Sequence, residues 1–321
     1  MTHGNIGFLR RRFSSLNTLT ILVVTVVLFV VLSVSTSNFF SYSNIYSLLF
    51  GVSIQFFALI GFTFLMIQGE IDLSVGAMYG FAGALSGTFV ILMGIPLWPA
   101  IILTLIVAAL VGFINGYLVV RFRLMSMMIT IGMMSVLIGL MSILSTGLGA
   151  EVFPTEYRDL IKFKIAGIHW SILAFLLIVI VVEVFLNRSA IFRQMYYIGH
   201  NVETVRLYGI KADKVKITSF VVSAVTAAIG GILATSRITH AYPTTGLGLE
   251  FTMVTAAVLG GASLYGGRGS ILRSVLGLLF LAIVSNGMII FQIDPYLQQV
   301  LMGAVLIAAV FADTRLNARN Q

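Results

Sequence analysis

The sequence predicts an all-α fold, a polytopic membrane bundle of about ten transmembrane helices, and three observations carry that reading. Of 321 residues, 59% are hydrophobic and 9% are charged, against about 25% charged in an ordinary soluble domain. Charge-free intervals run across 13–69, 73–120, 124–150, 165–182, 217–236, 251–267, 274–293 and 295–312, and several hold two spans of ~20 residues, each enough for a ~30 Å hydrocarbon core. They are continuously apolar, whereas barrel strands alternate over segments of about ten residues. A water-soluble fold is excluded. The absence of cysteine excludes disulfides, thiolate metal sites and cysteine nucleophiles.

Polar, glycine and proline clusters divide the chain into spans at 16–36, 46–68, 74–92, 98–120, 124–146, 168–187, 217–237, 251–265, 273–291 and 296–312. The first follows Arg10, Arg11 and Arg12; its apolar run exceeds the 7–15 residues of a secretory signal core, so it reads as a retained span. The third opens after Glu70-Ile71-Asp72 and carries Gly76, Gly80, Gly83 and Gly87. That spacing puts all four on one helical stripe, where bare backbone admits a close neighbour, with Met78 ~160° away. The same packing is expected at Gly112 and Gly116, at Gly132, Ser135 and Gly139, and at Ala256, Ala257, Gly260 and Gly261. Two connections stand out by length, 147–167 and 188–216. The whole reads as a single transmembrane domain over 1–321, with 188–216 a loop within it. Five spans per half would require the halves to be inverted in the membrane. The acid and glycine entrances at Gly69–Asp72 and Gly246–Glu250 support such a repeat.

Placing both termini in the cytoplasm puts 15 of the 19 basic residues inside, Arg315 and Arg319 among them, and leaves Arg158, Lys162, Lys164 and Arg237 outside. The net charge of +8 therefore reports topology under the positive-inside rule rather than a nucleic-acid partner.

Few side chains offer chemistry. Glu70 and Asp72 lie in a break between apolar spans, where a carboxylate reaches water or finds donors; Asp72 suits the start of the third helix as a cap, with Ser74 a second candidate. Glu183 and Arg237 lie near span ends, where snorkelling accounts for them. Asn115, Asn286, Gln55, Gln298 and Gln299 are uncharged polar groups in apolar surroundings, suited to binding hydroxyls or to joining helices. Asp72, Ser74, Asn115 and Asn286 are the candidate translocation-pathway residues. The four histidines are scattered, no metal-ligand spacing occurs, and no Gly-Lys pair exists to form a phosphate loop. No cofactor is expected in this chain, and any ATP would be held by another subunit. Within 188–216, Asn201 can cap a short helix with Glu203 in its first turn and Val205, Leu207, Tyr208 and Ile210 as apolar contacts before Gly209 ends it. Such a helix suits a partner's groove.

Three stretches carry a family resemblance: Gly69-Glu70-Ile71-Asp72-Leu73-Ser74-Val75-Gly76; Ile198-Gly199-His200-Asn201 continuing to Val205-Arg206-Leu207-Tyr208-Gly209-Ile210; and Leu259-Gly260-Gly261-Ala262-Ser263-Leu264-Tyr265-Gly266-Gly267-Arg268-Gly269-Ser270. In this order and spacing they resemble the inner-membrane permease subunits of bacterial ribose-type ABC sugar importers over almost the whole chain. The resemblance implies two permease chains, identical or paralogous, two cytosolic ATPases holding ATP and Mg, and a periplasmic sugar-binding protein. It implies alternating access for a monosaccharide or similar polyhydroxylated solute, with no covalent chemistry in the permease. It assigns 188–216 to ATPase docking, and Gly199, Asn201, Glu203, Leu207, Gly209 and Ile210 are the candidate coupling residues. The chain departs at Glu70, where the family often has glycine. An ion-coupled secondary transporter would place an acid or ion pair deep in the bundle, and a membrane-embedded transferase would gather acids and histidines at one face; these remain the two rival readings.

Overall fold

The computed structural model describes residues 3–148 and 153–318; Arg319, assigned above to the cytoplasmic side, lies outside the described residues, as does 149–152 of the first long connection. In chain order the helices are α1 (His3–Ser35), α2 (Tyr42–Ile67), α3 (Val75–Ile91), α4 (Leu97–Phe122), α5 (Ser126–Leu148) and α6 (Thr155–Lys162). A two-residue antiparallel hairpin, β1 (Lys164–Ile165) and β2 (Ile168–His169), precedes α7 (Trp170–Arg188), α8 (Ala190–His200), α9 (Val202–Leu207), α10 (Ala212–Ile238), α11 (Leu249–Leu259), α12 (Ile271–Ile290) and α13 (Pro295–Ala318). Each expected span interval holds an apolar helix. Among the described residues, seven helices (α2, α4, α5, α7, α10, α12 and α13) are long and apolar enough to cross a membrane.

The shorter ones have identifiable causes. α3 starts at Val75 because Gly69 takes φ +76° and the chain stays non-helical through Ser74. α11 has 11 residues, a rise of about 16 Å, roughly half the hydrocarbon thickness. Left-handed glycines bracket it, Gly246 and Gly248 before and Gly261 after, so the expected span 251–265 ends as helix at Leu259 and continues as a folded-back loop. The connection 188–216 is mostly helical, since α8 fills 190–200 and α10 begins at Ala212 rather than near 217.

α10 is the central pillar, with α2, α3 and α4 packed around it. Bare backbone permits the approach. Gly61 of α2 faces Ser223, Gly112 and Gly116 of α4 face Phe220 and Ile217, and Gly83 of α3 faces Thr235. At Gly231 a Cβ would stand 1.8 Å from the Tyr79 carbonyl oxygen. All four stripe glycines of α3 are in such contacts, but Met78 on the opposite side is also buried: α3 is enclosed on every face. The expectation fails on α5, where Gly132 and Gly139 meet nothing within 4 Å. α5 packs on α3 through Leu137 and Met141, which turns its glycines outward.

Glu183 does not snorkel. The end of α7 lies beside the start of α12, and the Glu183 carboxylate accepts hydrogen bonds from Ser270 Oγ at 3.0 Å and from the Leu272 backbone N–H at 3.1 Å, capping a helix in another part of the chain.

Gly231→Ala is expected to destabilise the protein by about 1–3 kcal/mol, because the new methyl has only backbone to displace. Gly132→Ala, with open space around it, is expected to leave stability unchanged or raise it by up to ~1 kcal/mol through helix propensity. Melting of the two variants in one detergent checks both, and equal losses would contradict the packing.

Candidate functional site

Non-helical backbone inside a membrane bundle must find partners within the protein, and the break between α2 and α3 finds them on three helices. Gln68 Nε2 donates to Ser219 Oγ of α10 at 2.5 Å. The N–H groups of Ile71 and Leu73 donate to Ser126 Oγ and Thr130 Oγ1 of α5 at 3.2 and 3.0 Å. Asp72 Oδ1 accepts from the N–H and hydroxyl of Ser74 at 2.9 and 2.5 Å, and its Oδ2 accepts from Ser223 Oγ of α10 at 3.1 Å. Asn115 Nδ2 of α4 donates to Ser74 Oγ at 3.1 Å. Three of the four pathway candidates, Asp72, Ser74 and Asn115, are thus brought together and are fully buried. Ser74 is the N-cap residue of α3 but makes no side-chain cap bond there; its hydroxyl goes to Asp72 instead. Glu70 forms an ion pair with Lys216 of α10, which gives the extra charge a partner that the sequence around the break did not reveal.

Asn286 lies elsewhere. It exchanges two amide hydrogen bonds with Asn44, each 2.8 Å, beside an open cavity of about 330 Å³ lined by α2, α11, α12, α13 and the end of α10. Ser47, Gln55, Arg237, Thr252 and Ser285 share its lining. Arg237 is exposed near the end of α10, and its guanidinium lies over the Phe50 ring, 4.7 Å from the centroid, a cation–π contact that holds it against α2 at the cavity. Phe50 also stacks on His169 at 4.2 Å, and Tyr46 OH is 2.5 Å from His169 Nδ1.

At the opposite end three distant segments meet through backbone. The Gly267 N–H donates to the Ile67 carbonyl at 2.8 Å. A Cβ on Gly199 would stand 2.1 Å from that carbonyl and 2.3 Å from the Gly267 nitrogen, and one on Gly266 would stand 2.7 Å from the Gly69 nitrogen. All three resemblance motifs therefore converge at one junction. Tyr196 OH donates to the Gly269 carbonyl at 3.0 Å; burial, with Glu183 beside it, pushes the phenol up to about 12, so it stays a donor at physiological pH.

Beyond the junction, Asn201 caps α9 by accepting from the Thr204 N–H at 3.0 Å, as its sequence position suggests. Gly209, at φ +77°, ends it with N–H donation to Arg206 O, and Ile210 N–H returns to Val205 O. Arg206 bridges Glu203 at 3.1 Å and Asp213 at 2.7 Å. Between α7, α8 and α9 lies a groove of about 620 Å³, with Tyr196, Tyr197, Val205, Tyr208 and Ile210 among its lining. Leu207 and Tyr208 project into solvent, 88% and 82% exposed.

A helical membrane bundle with a partly polar cavity between its helices is an architecture suited to a membrane transport protein. The chain belongs to the family described as "Branched-chain amino acid transport system / permease component", whose model matches residues 44–310. It is 30% identical over 301 residues to the autoinducer 2 import system permease protein of Photorhabdus luminescens, covering 93% of this chain and 90% of that one. Similar relatives are the ribose import permease protein of Haemophilus influenzae, 28% identical over 92% and 93% of the two chains, and the L-arabinose transport system permease protein of Escherichia coli, 32% identical over 91% and 89%. No solved structure matches the chain. The protein is the membrane-embedded permease component of an ATP-binding-cassette importer, and the ATPase site belongs to a separate subunit.

Asp72→Ala is expected to lower stability by about 3 kcal/mol or more, because it strands three buried donors at roughly 1–3 kcal/mol each, while Asp72→Asn retains an acceptor and loses less. Thermal denaturation in detergent measures this. An alanine variant with wild-type melting and altered uptake would assign Asp72 to solute contact instead of to the framework.

Proposed function

We propose that this permease carries a monosaccharide or similar polyhydroxylated solute across the bacterial inner membrane, by alternating access driven by ATP and Mg on the partner ATPase. The observation that carries the reading is the cavity: six of its lining residues, Ser47, Gln55, Arg237, Thr252, Ser285 and Asn286, offer hydroxyl, amide or guanidinium groups, the kind of groups that hydrogen-bond sugar hydroxyls. The remaining lining, with Leu48, Val52, Leu281, Ile289 and Met302 among it, is apolar and suits the carbon skeleton of such a solute. The relatives along nearly the full length carry ribose, arabinose and autoinducer-2 in their names, which supports the same choice. Asn286 is the pathway candidate that adjoins this cavity. Asp72, Ser74 and Asn115 would influence transport through the α3 framework.

The working unit in this reading is two permease chains, identical or paralogous, fed by a periplasmic sugar-binding protein. Exposed apolar helix faces support it, including the outward side of α5 with Gly132 and Gly139. Both termini lie in the cytoplasm, because that orientation gathers the basic residues inside. The ATPase docks on α8 and α9. Asn201, Glu203, Gly209 and Ile210 shape α9, Leu207 and Tyr208 face the partner, and Gly199 holds the unit against α2.

Leu207→Asp and Tyr208→Asp are expected to leave melting unchanged, since both side chains are in solvent, and to weaken co-purification with the ATPase by about thirtyfold, a hot-spot loss of about 2 kcal/mol. Binding-protein-stimulated hydrolysis and uptake in proteoliposomes should fall in parallel. Wild-type association in both variants would remove α9 from the interface.

A further inference from the structure

Arg237 sits one residue from the end of α10 and remains partly exposed, with its guanidinium on the cavity wall. Phe50, over which the guanidinium lies, is eight residues into α2, about 12 Å from the start of that helix. Gly51 borders it: a Cβ there would stand 3.4 Å from Arg237 Nη1, an ordinary van der Waals contact. Among the described residues no carboxylate pairs with Arg237, and no acidic residue lines the cavity. With an aromatic ring on one side and neutral amides and hydroxyls along the rest of the polar wall, the partly exposed guanidinium keeps N–H donors available to an anion.

We propose that this cavity is a transient solute site for a sugar-sized polyhydroxylated anion, with Arg237 receiving a carboxylate and Gln55 and Ser285 receiving hydroxyls. The proposal rests on the importer reading and narrows its solute class from neutral sugars to sugar acids. Size agrees, since 330 Å³ falls at the small end of the ~300–1,000 Å³ typical of small-molecule pockets. Chemistry agrees as well: a guanidinium presents a planar fork that matches a carboxylate in two parallel hydrogen bonds, while a neutral hydroxyl uses one. Phe50 restricts the fork to one plane and preorganises it.

The test uses the full-length permease in nanodiscs, with D-ribose and D-ribonate as probes and saturation-transfer NMR to measure weak affinities. Ribonate is expected to bind about tenfold more tightly than ribose, the size of one charge-assisted pair, and the preference should shrink as salt rises. Arg237→Gln should bring the two probes to parity, Arg237→Lys should restore part of the preference, and Gln55→Ala should weaken both probes alike. Equal affinities in the wild type, no detectable ribonate binding, or an unchanged preference in Arg237→Gln each overturn the proposal. ATPase co-purification, run on the same preparations, reports on the importer reading separately. A ribonate preference without ATPase association would keep the site and reject the partner assignment, whereas association without the preference would do the reverse.

Discussion

The structure depends on how non-helical backbone is satisfied where water is absent. The Gly69 and Glu70 N–H groups close α2 on the Met66 and Leu65 carbonyls, and residues 71–74 then run to α3 outside the helical ladder, where in hydrocarbon each unpaired N–H would cost several kcal/mol. The solution combines hydroxyls from neighbouring helices with one carboxylate of the break itself: Ser126 and Thr130 from α5 take two amides, and Asp72 takes a third while itself accepting from Ser223 of α10. Because those donors and acceptors come from α5 and α10, the break fixes the positions of both helices relative to α3. α3 then begins late and is enclosed on every side.

This arrangement divides the polar residues of the bundle into two populations. Asp72, Ser74 and Asn115 spend their hydrogen-bonding capacity mainly on one another and on the framework, with Asn115 Oδ1 the exception that has no partner among the described residues. Gln55, Ser285 and Arg237 border an open cavity and keep groups available to a solute. Both populations look alike in a hydropathy profile, since each is a polar residue in an apolar stretch.

At the other end, glycine contacts replace side-chain packing. Gly199 of α8, the end of α2 and the loop at 266–267 touch through backbone atoms, and close-packed backbone has little slack to absorb a displacement. Under the proposed docking of the ATPase on α9, a push there would pass to α2 and to the loop after α11. α2 runs on to the proposed solute cavity, so one rigid element would join the two.

The sequence by itself determined the class of fold, the positions of ten apolar helices and the cap and stop of α9, because hydropathy periods and the Asn201 and Gly209 signals are local and act within a few residues. It also located the three glycine-rich motifs whose family resemblance the relatives bear out. What it misjudged or left open is non-local. Glu183 caps a helix 87 residues away, the Arg237 guanidinium lies over Phe50, Glu70 pairs with Lys216 across 146 residues, and Gly132 and Gly139 face outward. None of these can be read from spacing along the chain. Whether a buried acid is a cap or a site, and whether a glycine is a contact or a gap, depends on which helix lies opposite, and only the tertiary structure decides that.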